Sequence, residues 1–125
     1  MNSESTYQEL RAFAIDVVLF SRSLQKSAEA FIIQKQLIKS VSSSAANYRA
    51  SRCARSRNEW HAKISIVYEE IDETNFWLEF INELKLSNKQ DQLNALIDES
   101  LAFAKRFAKI RSSSKENGNH LKYKK

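Results

Sequence analysis

Apolar residues recur along this chain at spacings of three and four, and the clearest run lies between Ser56 and Leu84. There Trp60, Ile64, Val67, Ile71, Thr74, Leu78 and Ile81 keep one seam of a single long helix turned toward a core. A second row, Ile66, Glu70, Glu73, Trp77, Phe80 and Leu84, repeats the spacing about one helical step away. A single four-helix core rarely needs both rows, so the second predicts an oligomer interface.

The same reading predicts three further helices. The first runs from about Gln8 to Leu24, with Leu10, Phe13, Val17, Phe20 and Leu24 on one side and a capping box at Thr6 and Glu9. The second runs from Ala28 to Ala54, with Leu37, Val41, Ser44, Ala45 and Tyr48 inward. Its small middle, Ser42 to Ala46, suits close approach of a neighbouring helix. Ser56 with Glu59 and Ser87 with Gln90 mark the starts of helices three and four. Leu93, Leu96, Ile97, Leu101, Ala104, Phe107 and Ile110 form the apolar face of the fourth. Short connections favour antiparallel neighbours, so the expected fold is an all-α, up-down-up-down four-helix bundle over residues 1–110. Residues 111–125 read as a basic, disordered tail.

Composition agrees with one helical domain. The 125 residues include no proline and one glycine, Gly118, which leaves little chemistry for hairpins or phosphate-cradling loops. Cys53 is the only cysteine, so one chain can build neither a disulfide framework nor a thiolate zinc site, as suits a reducing cytoplasm. Glu4 and Glu9 stand where a secretory signal would be basic and then apolar, and no apolar run reaches membrane-spanning length. The cytoplasm is the expected location, with no membrane partner.

The net charge of +5 is unevenly placed. Through Ile110 there are 15 basic residues against 14 acidic, and beyond it five against one. Within the body, Lys35, Lys39, Arg49, Arg52, Arg55 and Arg57 form a stretch without acids. Glu69, Glu70, Asp72, Glu73, Glu79 and Glu83 form a stretch without bases. In an antiparallel hairpin of helices two and three, Lys35 and Lys39 reach the height of Glu73 and Trp77, where ion pairs are expected. The other basic residues gather at one end of the bundle. Arg49, Arg52, Arg55, Arg57 and Lys63 are therefore the candidate nucleic-acid contacts, with Lys105, Arg106 and Lys109 as weaker additions. Tyr48, Trp60 and His61 are nearby rings on which an unpaired base could stack.

Catalytic chemistry is not visible. Ser42 to Ser44 lack a nucleophile elbow, and Cys53 and His61 lack an oriented partner and an oxyanion site. Glu70 and Glu73 share a face, but the Glu-x-x-His spacing of a di-iron bundle is missing. No enzyme activity, metal or cofactor is expected. Trp60 and Trp77 read as packing anchors.

The segment from Gln36 to Ile81 contains Gln36-Leu37, Ser43-Ser44-x-x-Asn47, Arg49-Ala50, Ser56-Arg57, Glu69-Glu70-x-Asp72-Glu73-Thr74 and Trp77-Leu78-Glu79. In this order the motifs resemble the small four-helix-bundle proteins encoded in intervening sequences of bacterial large-subunit ribosomal RNA genes. The segment looks closest to their relatives, the accessory variability determinant proteins of diversity-generating retroelements. Arg49 stands where many intervening-sequence relatives have an acidic residue. The resemblance implies a homopentameric barrel and association with RNA, DNA or a reverse transcriptase. Two functions follow as expectations: a non-enzymatic oligomeric accessory protein that binds nucleic acid or a reverse transcriptase through repeated basic surfaces, or a protein-interaction scaffold without specific nucleic-acid binding.

Overall fold

The structure, a computed structural model, describes residues 2–123, with side chains described for residues 2–113. It contains α1 (Ser3–Ser21), α2 (Ala28–Ser51), α3 (Arg57–Leu84) and α4 (Gln90–Tyr123). Successive helices run antiparallel. The start of α1 meets the end of α2 through Arg52 and Glu4, and it meets the later part of α4 through Arg106 and Glu9. The expected tail, 111–125, falls largely outside the described side chains, and its last two residues fall outside the described residues altogether.

The apolar rows become the core. Leu10, Phe13, Val17 and Phe20 meet Leu37 and Val41, the α3 seam from Ile64 to Ile81, and Leu93, Leu96 and Phe107. Polar groups inside are satisfied locally. The hydroxyls of Ser44, Ser51 and Ser100 donate to carbonyls three residues back at 2.6–2.7 Å, which lets small residues sit in the interior without orphaned donors. Ser40 and Thr74 join their hydroxyls across α2 and α3 at 2.9 Å, and Asn75 donates to Ser100 Oγ across α3 and α4 at 2.8 Å. Thr74, a polar member of the apolar row, is accommodated by this pairing.

Two capping expectations are corrected. Helix α1 starts at Ser3, capped by Asn2, whose Oδ1 accepts from the Ser5 N–H at 2.8 Å. Thr6 is consequently inside the helix and buried, and Glu9 turns to Arg106. Ser87 does not cap α4. Its hydroxyl accepts from the Lys89 N–H at 3.1 Å and pairs with Ser23 Oγ at 2.7 Å. The expected cap at Ser56 is present, with its Oγ accepting from the Glu59 N–H at 3.0 Å. Helices α1 and α2 also stop three residues before their expected ends, at Ser21 and Ser51.

The end of α3 uses left-handed backbone without glycine. Lys85 has φ 54°, and the Leu86 N–H returns to the Ile81 carbonyl at 3.1 Å while Leu86 itself is buried. This Schellman-type closure satisfies late carbonyls of the helix at the strain cost of a non-glycine residue. Beside it, the Gln25 N–H donates to the Leu86 carbonyl at 2.8 Å, fastening the α1–α2 connection to the α3–α4 connection.

Candidate functional site

Three surfaces remain once the core is closed. The first is the α2–α3 turn. Helix α2 ends as the Cys53 and Ala54 N–H groups fold back on Ala50 and Ser51, and Ser56 starts α3 at once. This short turn places Arg55 and Arg57 at the N-terminal tip of α3. The Arg55 side chain is 90% exposed and has one loose ion pair, 3.8 Å from Glu59. Arg57 is exposed and forms no ion pair among the described residues. A basic residue in a first helical turn opposes the macrodipole, so both features make this tip attractive to anions.

The other basic candidates divide. Arg52 pairs with Glu4 at 2.8 Å and lies over the Tyr7 ring at 5.4 Å. Arg106 is held at 2.6 Å by Glu9 and at 2.9 Å by Thr6 Oγ1. Both are committed to joining helices. Lys63 is half-buried on α3, and Lys105 and Lys109 are exposed on α4. Arg49 faces α1, away from Lys63 on α3.

Tyr48 is buried, packed edge-on against Phe107 at 5.3 Å, and so offers no face to a base. Burial raises its hydroxyl pKa, opposed by a hydrogen bond with Thr6 and by Arg52 and Arg106. Trp60 packs against the core. His61 lines a hollow of about 320 Å³ with Tyr68 and Arg111, whose guanidinium lies 5.6 Å from the Tyr68 ring centre. Cys53 is exposed.

The second surface is the outer row of α3. Ile66, Phe80 and Leu84 are exposed, Glu73 is exposed, and Glu70 and Trp77 are half-buried. Phe76 joins them, 51% exposed, stacked on Phe80 at 5.6 Å and edge-on to Trp77 at 4.8 Å. The Trp77 Nε1–H is enclosed and has no hydrogen-bond partner among the described residues. The expected pairing of Lys35 and Lys39 with the α3 acids does not form; Lys35 instead lies 5.5 Å over Phe31. The height was right, since Ser40 meets Thr74, but one residue along a helix turns a side chain about 100° to another flank.

The third surface was not anticipated. Between α1 and α2 lies a groove of about 480 Å³ whose floor is Ala14, Ser42, Ala45 and Ala46. Ile15 and Leu19, 45% and 47% exposed, belong to its apolar wall, and Arg11, Arg22 and Arg49 bring positive charge to its lining. The signal was present in Arg11, Ile15, Val18 and Arg22, spaced four, three and four along a second face of α1.

Among the described residues no group of three or more His, Cys, Asp or Glu side chains is placed to hold a metal ion, and no helix is long and apolar enough to cross a membrane. No curated protein matches the chain. A solved structure is similar: a protein of unknown function from the S23 ribosomal protein family of Bacteroides thetaiotaomicron. It is 25% identical, with TM-score 0.77 over 90% of this chain and 99% of that one. The profile of 23S rRNA-intervening sequence proteins matches residues 3–109, and the chain belongs to that family.

Proposed function

We propose that this protein is a non-enzymatic, ring-forming accessory bundle that contacts nucleic acid through the α2–α3 turn. The observation that supports this most is the position of Arg55 and Arg57 at the N-terminal tip of α3, where among the described residues the one side-chain ion pair is a loose 3.8 Å contact of Arg55 with Glu59. Guanidinium groups make forked contacts with phosphate, and the helix end adds a favourable partial charge. Lys63 extends this surface along α3. Arg52 serves the fold, and Arg49 belongs to the groove. Repetition around a homopentamer, the assembly implied by the family resemblance, would multiply a weak site into a useful one.

The test is a combined R55E/R57E variant of the full chain, assayed for RNA and DNA binding with its oligomeric mass measured in parallel. Binding should fall at least tenfold with the mass unchanged. The wild-type affinity should also decline steeply with salt, by about 0.9 log units per log unit of salt for each duplex phosphate neutralised. Unchanged binding by the variant would remove the turn from the site.

The exposed aromatic row of α3 favours a second reading, a protein scaffold whose nucleic-acid attraction comes from the basic tail. A reverse transcriptase is the protein partner that the family resemblance implies. Removing the residues after Ile110 separates the readings. Retained affinity supports the turn, and lost affinity with an intact oligomer supports the scaffold.

A further inference from the structure

We infer that the acidic, aromatic face of α3 seats in the α1–α2 groove of a second copy of this chain, forming a head-to-tail interface that can close into a ring. The inference rests on the self-association part of the proposed function and identifies the two surfaces that meet. Each is incomplete alone. The α3 face exposes Phe76 and Phe80 beside Glu69 and Glu73, and the groove exposes Ile15 and Leu19 between Arg11 and Arg22. One surface is apolar with negative charge, and the other is apolar with positive charge. Monomeric proteins seldom leave two such patches uncovered.

Their heights also correspond. Ser42 shares the groove with Ile15, and Ser40, half a turn away on α2, bonds Thr74. Ile15 therefore stands near the level of Glu73. Helices α1 and α3 run in the same direction, so a shift of four residues, about 6 Å, moves equally along both. Arg11 then falls at the level of Glu69, Leu19 near Trp77, and Arg22 near Phe80 and Glu83. In a ring whose axis follows the helices, every copy keeps the same height. Arg11 therefore meets Glu69, Arg22 meets Glu83, and Leu19 meets the aromatic cluster. Phe31, 62% exposed beside Arg22 in an adjoining hollow, continues the apolar surface toward Leu84. Two different patches generate a ring where the rotation between copies closes.

The small floor of the groove gives the Ser42–Ala46 segment its second use. Ser44 and Ala45 face the bundle, whereas Ser42 and Ala46 are exposed and leave room for incoming rings. Arg49 is then an assembly residue. This explains its position on the α1 side of α2, apart from the tip that carries Arg55 and Arg57.

The test uses charge reversal at exposed positions of the full chain, read by sedimentation equilibrium in nucleic-acid-free buffer, with circular dichroism confirming the helical fold. Wild type is expected to be oligomeric. R11E/R22E and E69K/E83K should each lower the mass toward one protomer, and the four changes in one chain should restore the wild-type mass. An R11E/R22E protein that keeps the wild-type mass would overturn the groove assignment while leaving self-association standing. So would a fourfold variant that remains a protomer. A protomeric wild type would overturn both this interface and the ring on which it rests.

Discussion

The Arg52 guanidinium lies 2.8 Å from the Glu4 carboxylate and above the Tyr7 ring, so the end of α2 is fastened to the start of α1. An arginine that its neighbours in sequence place in a basic cluster is instead a structural clasp. The pair is partly exposed, with side-chain exposures of 32% and 58%, which limits its value. Glu4→Gln should cost roughly 0.5 kcal/mol or less. Arg52→Ala, which also loses the ring contact, should cost about 1 kcal/mol. Urea denaturation at fixed protein concentration checks both, and neither change should reduce nucleic-acid binding as R55E/R57E does.

Asn75 provides a buried polar link between α3 and α4 through Ser100. Asn75→Ala should cost roughly 1–2 kcal/mol, because Ser100 keeps its 2.7 Å bond to the Ile97 carbonyl and no donor is orphaned. Asn75→Asp should be worse at neutral pH, since it buries a carboxylate without a cation. The difference between the two variants in denaturation midpoint should shrink as the pH is lowered and that carboxyl protonates.

Glu99 predicts a pH effect of the same sign, on a smaller scale. Partial burial raises its pKa above the ordinary 4.5, and Asp16 on α1 adds to the rise. The folded state therefore favours the protonated form, so the benefit is present below about pH 4.5 and disappears as pH rises through the higher folded value. At pH 7 the charged group is a small liability. Glu99→Gln should stabilise the protein there by roughly 0.5 kcal/mol or less, given solvent screening, and the advantage should vanish at acid pH. Melting temperatures of the two proteins across pH 4–7 provide the comparison.

The Trp77 indole N–H is enclosed and has no hydrogen-bond partner among the described residues. Trp77→Phe removes that donor and preserves a ring beside Phe76 and Phe80, so stability should change by no more than about 1 kcal/mol. Trp77→Ala should cost about 2–3 kcal/mol through lost packing. Thermal unfolding followed by circular dichroism distinguishes the two without relying on tryptophan emission.

The bundle was legible because its helices repeat buried positions over many turns, and the α3 seam from Ile64 to Ile81 contains no apolar gap except Thr74. Local capping was less legible. Thr6 and Glu9 have the spacing of a capping box, but Glu9 has a partner 97 residues away in Arg106, which local pattern reading does not reach. Lys35 and Lys39 show another limit: pairing of helices fixes height, whereas flank depends on rotation by single residues. The α3 outer row stood out through its aromatics. The α1–α2 groove did not, because its lining is divided between helices and its floor consists of small residues that carry no chemical signal.

Self-association underlies both the repeated basic tip and the interface between the α3 face and the groove. Sedimentation equilibrium of the purified full chain, free of nucleic acid and near physiological salt, tests it most directly. The expected result is a stable mass that is a fixed multiple of the 14.5 kDa protomer over a wide concentration range, a homopentamer by the family resemblance. A stable protomer at every concentration would contradict it.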